Sequence, residues 1–175
     1  MWFKDTGDTV LLLGETGDDL GGSEYLHAVY GQTRGPVPAL DLNFEKNLQS
    51  AVLEAIKTGT VKSAHDIVDG GLAVALAECC FGNTENMLGA KITYQPQVRP
   101  DSLLFGESQS RILLTCAASD AEGLLKHFES KNIPAMTIGT VGGESLEINS
   151  LVSLPVGELA DAFYNAMPSF MERIR

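Results

Sequence analysis

The segment AHDIVDGGLAVALAECC, at residues 64–80, constrains the fold of this chain most strongly. A short apolar run that contains two acids leads into two adjacent glycines, and an apolar helical stripe begins directly after them. This order predicts a strand over Val61–Ile67, followed by a helix whose buried side includes Leu72, Leu76 and Cys79. A strand that passes through a tight turn into a helix is typical of a layered sheet-and-helix protein.

The same alternation of strand and helix patterns continues along the chain. Strands are predicted over 9–14, 61–67, 89–94, 111–116, 135–141 and 146–153, and helices over 23–31, 48–59, 72–79, 119–128 and 153–166. Ser119 and Glu122 have the spacing of a capping box, and Pro168 is expected to kink or interrupt the last helix. The stretch with Pro96 and Pro100 is interpreted as a loop. Together these patterns favour one globular domain with a mixed sheet flanked by helices, over a sandwich or a bundle.

Charge and composition exclude several classes of partner. The net charge is −11 with only 12 Lys and Arg residues, which opposes binding to nucleic acid or to an anionic membrane. The three cysteines, Cys79, Cys80 and Cys116, match neither zinc-ligand spacing nor a disulfide framework. Met1–Val10 carries charges before any apolar run, unlike a signal peptide. We therefore expect a cytoplasmic protein with reduced, buried thiols, and neither a nucleic-acid nor a membrane partner.

An acidic chain that binds phosphate needs backbone N–H groups, a helix N-terminus or a divalent cation to attract it. Asp66 ends the strand of the opening segment, and Gly70 and Gly71 remove side chains where the next helix begins, so that an anion or its metal can approach. Alternatively, Asp69 is an N-cap and the glycines serve packing. Asp66 needs a partner in either case, which is a structural hydrogen bond or a cation.

A second glycine-rich segment, ETGDDLGGSEYL, opens onto another helix. Gly21 and Gly22 lie in the loop, Ser23 is placed to cap the helix, and Gly31 is placed to end it. This arrangement again puts small residues at a helix N-terminus.

A third segment, LFGESQSRILL, crowds polar side chains at a strand entry. Glu107, Ser108 and Gln109 offer a carboxylate, a hydroxyl and an amide that can hold a phosphate or a sugar, while the alternative is an ordinary polar turn. Arg111 either anchors an anion or pairs with a nearby acid, and a surface ion pair is favoured.

The histidines give no support for nucleophilic catalysis. His65 alternates with Asp66 along the strand and so points to the other face, where we interpret it as structural. His27 and His127 lie on predicted helix surfaces, and no Ser or Cys can be tied to them. No catalytic residue is therefore assigned.

The segments GETGDDLGGSEYL, AHDIVDGGLAVALAE and LFGESQSRILLT, in this order and spacing, resemble the C-terminal end of the phosphoribosylformylglycinamidine synthase (formylglycinamide ribonucleotide amidotransferase) family, small synthetase subunit. More broadly the chain resembles the aminoimidazole ribonucleotide synthetase superfamily, which includes selenophosphate synthetase and thiamine-monophosphate kinase. The resemblance implies an α/β (α+β) fold: a three-layer C-terminal domain with a mixed sheet flanked by helices, partly ferredoxin-like.

The resemblance also implies a reaction. In this family ATP and Mg²⁺ activate the substrate amide oxygen by phosphoryl transfer, and ammonia released from glutamine displaces phosphate to give the amidine. The implied partners are a glutaminase subunit, a small accessory subunit and a phosphorylated small-molecule substrate. The reaction requires charge neutralisation at the phosphoryl group, which carboxylate-held Mg²⁺ provides.

Site residues carry over from the first half of the family subunit, because this chain resembles the pseudo-symmetric second copy. There, the position corresponding to Asp66 holds a metal, and a Glu-Ser-Gln run contacts the substrate. Asp66 is thus the expected metal ligand. The expected phosphate-binding or substrate-binding residues are Gly21, Gly22, Ser23, Gly70, Gly71, Glu107, Ser108 and Gln109.

The resemblance covers only the last C-terminal domain of a subunit that has two such halves. We therefore expect residues 1–175 to be a single synthetase-type domain, a fragment of a larger subunit, with a helical segment over 155–175. Such a chain is expected to be inactive without the ATP-binding domains. Two alternatives remain open: a non-catalytic scaffold and docking domain of the same enzyme, or the C-terminal domain of another superfamily member such as selenophosphate synthetase.

Overall fold

The computed structural model describes residues 1–173 of the chain. The strands are β1 Thr9–Leu13, β2 Val61–Asp66, β3 Ala90–Ile92, β4 Ile112–Cys116, β5 Ala135–Val141, β6 Ser145–Ile148 and β7 Val152–Pro155. The helices are α1 Glu24–Tyr30, α2 Leu42–Lys57, α3 Gly71–Phe81, α4 Pro100–Phe105, α5 Ala121–Ser130, α6 Val156–Tyr164 and α7 Ala166–Arg173. The predicted alternation of strands and helices is confirmed. Of the predicted helical segment 155–175, residues 174 and 175 lie outside the described residues.

The seven strands form one sheet in the order β2-β4-β1-β5-β3-β6-β7. Strand β4 runs antiparallel to both of its neighbours, β1 and β2, and the pair β3–β6 is parallel. The sheet is therefore mixed, as predicted. The antiparallel pairing places the last residues of β1 and β2, Leu13 and Asp66, on either side of Ile112 at the start of β4.

Two apolar clusters cover the two faces of this sheet. Val10 and Leu12 of β1 belong to the cluster formed with α3, α4 and α6, while Leu11 and Leu13 belong to the cluster formed with α2 and α5. Alternate residues of a strand point to opposite faces, so one strand supplies both clusters. The result is helix, sheet and helix in three layers, which confirms the expected fold class.

Helix α2 shows how local sequence builds one outer layer. Asp41 caps it, because its carboxylate accepts hydrogen bonds from the amides of Asn43 at 2.8 Å and Phe44 at 3.1 Å. The buried side chains recur at helical spacing. They are Leu48, Ala51, Val52 and Ala55.

Two strand predictions were wrong. The single strand predicted over 146–153 is the hairpin of β6 and β7, and Asn149 at the turn has φ 50°, a left-handed conformation that asparagine tolerates. The side chain of Asn149 accepts a hydrogen bond from the amide of Tyr94 at 3.0 Å and donates one to its carbonyl oxygen at 2.7 Å. The predicted closing pair, β5 and β6, are not neighbours, because β3 lies between them.

Two helix predictions were also wrong, and the interruption predicted at Pro168 lies at another residue. The stretch interpreted as a loop around Pro100 contains α4, which has Pro100 in its first turn, where proline is favoured. The capping box of Ser119 and Glu122 does not form, since Asp120 occupies the N-cap position of α5 without a side-chain hydrogen bond. The last helix is interrupted at Asn165, and Pro168 lies within α7.

The three cysteines are buried and free of disulfide bonds. Burial raises the pKa of the Cys79 thiol to about 12 and raises that of Cys80 as well. Thiols held in the protonated form are poor nucleophiles. Within residues 1–173, no helix is both long and apolar enough to cross a membrane.

Candidate functional site

The three glycine-containing segments of the sequence meet at one edge of the sheet. The first follows β1, the second follows β2, and the third precedes β4, whose start lies between the ends of the other two strands. This meeting follows from antiparallel pairing of β4 with both strands. The carboxyl ends of β1 and β2 therefore meet at this edge, with the start of the antiparallel β4 between them.

Asp66 is open to solvent at this edge. Its side chain is 70% exposed, while that of the preceding His65 is 9% exposed. His65 Nε2 lies 2.9 Å from Glu78 Oε2 on α3, and its Nδ1 lies 2.7 Å from the carbonyl oxygen of Asp66. His65 thus links β2 to α3, in agreement with its structural interpretation. The two side chains are not fully separated, since Nδ1 is also 3.4 Å from Asp66 Oδ1.

Asp66 and Gln109 line a cavity of about 380 Å³, together with Glu45 of α2. Glu45 is already engaged, because its carboxylate accepts hydrogen bonds from Gln49 at 2.6 Å and from Ser110. The part of the chain that the structure describes contains no group of three or more His, Cys, Asp or Glu side chains able to enclose a metal. A site with only a few oxygen ligands from the protein is suited to a metal ion that keeps several of its water ligands, and not to an ion coordinated entirely by protein atoms.

Gly70 and Gly71 have the packing role that was the alternative for them. Both are left-handed, with φ of 81° and 69°, and a Cβ on Gly71 would lie 2.7 Å from the carbonyl oxygen of Gly106. Gly70 is also the N-cap residue of α3, without a side-chain hydrogen bond, so the N-cap interpretation of Asp69 was wrong. The glycines let α3 start against the loop before β4.

The backbone amides at this helix start are not bare, contrary to expectation. The Gly71 amide donates to the carbonyl oxygen of Val68 at 2.9 Å. The Gly70 amide donates to Glu107 Oε1 at 2.9 Å, and the same oxygen accepts from the amide of Glu24, the first residue of α1, at 2.9 Å. A carboxylate of the protein itself therefore occupies the position between the two helix N-termini, where anions are favoured.

The glycine loop before α1 is closed by similar contacts. Ser23 caps α1 and Gly31 ends it with φ 63°, as predicted. The Ser23 hydroxyl is buried and donates to the carbonyl oxygen of Leu20 at 2.7 Å, so it is occupied. A Cβ on Gly21 would lie 1.9 Å from the carbonyl oxygen of Pro36, and Gly22, at φ 72°, has open space around it. Gly21 is thus a close-packing position.

Ser108 and Gln109 point to different surroundings. Ser108 is buried, and its hydroxyl accepts from the Gly17 amide at 2.9 Å and donates to Asp19 Oδ2 at 2.7 Å. Gln109 is exposed and its side chain donates to the carbonyl oxygen of Glu107 at 3.2 Å. Of the predicted Glu-Ser-Gln run, Gln109 is the member that faces the solvent.

Arg111 is buried, and the surface ion pair favoured for it was wrong. Its side chain donates to the carbonyl oxygens of Ser108 at 3.0 Å and Gly106 at 2.5 Å, and to Thr16 Oγ1 at 3.3 Å. Burial lowers the pKa of its guanidinium to about 10, while the nearby negative charges act in the opposite direction. The guanidinium satisfies carbonyls that the tight turn leaves without backbone partners.

A second cleft of about 490 Å³, which the sequence did not predict, lies between the glycine loop and α4. It is lined by Tyr25, Arg34 and Arg99, among others. Ser102 of α4 donates a hydrogen bond to Asp18, one of the residues that line this cleft. The signal that was available is the pair Pro100-Asp101, which is typical of a helix first turn and would have predicted α4.

Comparison with known proteins places this geometry in a family. Residues 5–149 match the family described as AIR synthase related protein, C-terminal domain. The chain is 40% identical over 179 residues to the phosphoribosylformylglycinamidine synthase subunit PurL of Alkaliphilus metalliredigens, covering 100% of this chain and 24% of that protein. The chain therefore spans about a quarter of the length of this relative.

Solved structures show the same fold. Thermotoga maritima PurL complexed with FGAR superposes with a TM-score of 0.75 at 24% identity, over 91% of this chain and 29% of that one. T. maritima PurL complexed with ATP has a TM-score of 0.67 at 22% identity, over 91% of this chain and 26% of that one. PurLQS from T. maritima has a TM-score of 0.66 at 23% identity, over 91% of this chain and 27% of that one. Since the family match spans residues 5–149, the chain belongs to the AIR synthase-related family and contains its C-terminal domain.

Proposed function

We propose that this chain is the C-terminal domain of a PurL-type phosphoribosylformylglycinamidine synthase subunit, an ATP-dependent carbon–nitrogen ligase of de novo purine biosynthesis. The complete enzyme converts formylglycinamide ribonucleotide, ammonia derived from glutamine, and ATP to formylglycinamidine ribonucleotide. The observation that carries this proposal is the 40% identity to a PurL subunit along the whole chain. The match covers 24% of that relative, which supports assigning the activity to a larger subunit, and we expect the chain alone to be inactive.

A hydrated magnesium ion suits the residues at the open edge of the site. Asp66, Glu45 and Gln109 offer oxygen donors around one cavity of about 380 Å³. Magnesium keeps several waters and binds through one or two carboxylates together with substrate phosphates. Asp66 is the proposed ligand, because it is exposed and Glu45 is engaged by Gln49 and Ser110. When bound, the ion supplies charge neutralisation at a phosphoryl group.

Phosphate or substrate binding by the other predicted residues is also part of this proposal. These residues lie in the converging loops: Gly21, Gly22, Ser23, Gly70, Gly71, Glu107 and Ser108. The Ser23 and Ser108 hydroxyls, the Glu107 carboxylate and the Gly70 and Gly71 amides already make hydrogen bonds within the chain. A phosphate reaches the Gly70 amide only if the Glu107 carboxylate moves away. The side chains of Gln109 and Asp66 are exposed, so a ligand can reach them without such rearrangement.

Titration of the chain with ATP, in the presence and absence of Mg²⁺, tests the site by calorimetry. Asp66→Ala is expected to weaken Mg²⁺-dependent binding at least tenfold, which corresponds to about 1.4 kcal/mol. Asp69→Ala is the matched control, since Asp69 is exposed, lies three positions away and makes no side-chain hydrogen bond or ion pair within residues 1–173. Equal affinities of the two variants would remove Asp66 from the site.

A chimera tests the enzymatic role itself. Replacing the matching quarter of the A. metalliredigens PurL subunit with this chain is expected to retain ATP-dependent ligase activity with formylglycinamide ribonucleotide and ammonia. The parental subunit is the positive control. A chimera that folds and assembles as the parent does, yet lacks activity, would contradict the proposed function.

A second candidate is a non-catalytic scaffold within the same enzyme, and one observation favours it. The amides at the two helix starts and the side chains of Ser108 and Arg111 are satisfied by the chain itself. A site that retains no ligand is expected to be filled in this way. If the wild-type chain shows no heat with ATP and Mg²⁺ while the chimera is active, the scaffold is the correct role.

The proposed partners are a glutaminase subunit and a small accessory subunit. The solved PurLQS structure from T. maritima, whose PurL-like fold this chain shares, supports an assembly of this kind. We further propose a cytoplasmic location, which the free, buried cysteines support.

A further inference from the structure

Residues 15–38, which contain α1, are attached to the protein in an unusual way. Ser23 is the only buried residue of this segment, and α1 has no buried residue at all. By contrast, α2 buries four apolar side chains. Burial of apolar area is the main force that fixes helices to a core, so it contributes little here.

Polar contacts with residues 102–111 hold this segment instead. Asp18 accepts from Ser102, and Asp19 accepts from Ser108 at 2.7 Å through its side chain. The carbonyl oxygen of Asp19 also accepts from the Glu107 amide at 3.0 Å. The one aromatic contact to the same stretch is a parallel stack of Tyr25 on Phe105, with ring centroids 4.7 Å apart.

Glu107 has a special position among these contacts. Its Oε1 atom accepts from the Glu24 amide of α1 and from the Gly70 amide before α3, both at 2.9 Å. Hydrogen bonds to a carboxylate are about twice as strong as neutral ones. One atom therefore ties the start of α1 to the start of α3, and α1 cannot move away while this tie is kept.

We propose that residues 15–38 form a strap that opens as a unit while the sheet stays intact, and that Glu107 is the positioning residue that keeps it closed. Opening of the strap widens the cleft of about 490 Å³, because its lining combines Asp18, Gly21 and Arg34 of the strap with Arg99 and Asp101 at the start of α4. This motion of the strap does not depend on which of the two candidate functions is correct.

Amide hydrogen exchange of the 175-residue chain, followed by mass spectrometry, tests the strap. In the wild type, hydrogen-bonded amides of residues 15–38 are expected to exchange at least 100-fold faster than those of β1, since local opening needs less free energy than global unfolding. Equal protection of strap and β1 would overturn the proposal. This measurement needs no variant, so it stands even if substitutions impair folding.

Variants then test Glu107. Glu107→Ala is expected to speed exchange in residues 15–38 and at Gly70 by at least tenfold, without change in β1. Glu107→Gln, which keeps an acceptor oxygen of the same reach but lacks the charge, is expected to restore part of the protection. Glu15→Ala is the matched control, because Glu15 is an exposed glutamate of the strap with no side-chain hydrogen bond within residues 1–173. Unchanged strap exchange in Glu107→Ala, or a uniform increase over the whole chain, would overturn the role of Glu107.

Discussion

Substitution of Gly71 by alanine separates close packing from ligand access as the reason for this glycine. Gly71 has φ 69°, and a Cβ there would lie 2.7 Å from the Gly106 carbonyl oxygen and 2.8 Å from backbone atoms of Phe105. Backbone cannot move aside as the end of a flexible side chain can. The added methyl group must therefore push α3 away from the loop before β4.

The expected loss has two parts. The left-handed conformation costs an alanine about 1 kcal/mol relative to glycine. The forced contact with backbone adds about 1–3 kcal/mol, as for other overpacked positions. Gly71→Ala is thus expected to lower the free energy of unfolding by about 2–4 kcal/mol.

Gly22→Ala is the matched control for this experiment. Gly22 has nearly the same φ, 72°, but nothing lies within 4 Å of the position of its Cβ. It therefore carries the conformational cost of about 1 kcal/mol without the contact. Urea denaturation followed by far-UV circular dichroism measures both variants against the wild type. Losses that agree within about 0.5 kcal/mol would refute the packing argument and leave ligand access as the reason for Gly71.

Two further predictions concern buried groups. The Cys79 thiol keeps its proton up to a pKa of about 12 in the folded chain, whereas an unfolded thiol ionises near 9. The free energy of unfolding is therefore expected to fall as the pH rises above about 9, by ~1.4 kcal/mol per pH unit for each buried thiol. Urea denaturation at pH 8 to 10 checks this, and a Cys79→Ala/Cys80→Ala double variant with the same slope would contradict it. Arg111→Lys is expected to lower the free energy of unfolding by about 2–4 kcal/mol, because one lysine ammonium cannot reach the separate carbonyl oxygens of Ser108 and Gly106. A loss below about 1 kcal/mol in the same assay would contradict the buried role of Arg111.

The sequence predicted the elements of the fold well where the pattern is local. Five of the six predicted strands each correspond to one strand of the structure, because runs such as Thr9–Leu13 have both strand-forming residues and clear glycine boundaries. Ser23 and Gly31 were correct as the limits of α1, since capping depends on neighbouring residues only. Helix α4 was missed because Pro100 was interpreted as a break, although proline also begins helices.

The contacts within the site were not predictable in the same way, because they depend on pairing between distant segments. That β4 would pair antiparallel with both β1 and β2 is not encoded in any one motif. This pairing decides that Arg111 is buried against carbonyl oxygens and that Glu107 reaches two helix starts. The residue types showed that the loops are polar and rich in glycine. They did not show which distant residues the loop side chains would hydrogen-bond to.

Strand β1 contributes to both apolar clusters, and this has a consequence for melting. Val10 and Leu12 pack on one side of the sheet and Leu11 and Leu13 on the other, and all four are fully buried. Detaching either outer layer would expose β1 to water, and the opposite layer also packs against β1. The two outer layers should therefore melt cooperatively in a single calorimetric transition, with matching calorimetric and van't Hoff enthalpies, although the two apolar clusters have no described residue in common.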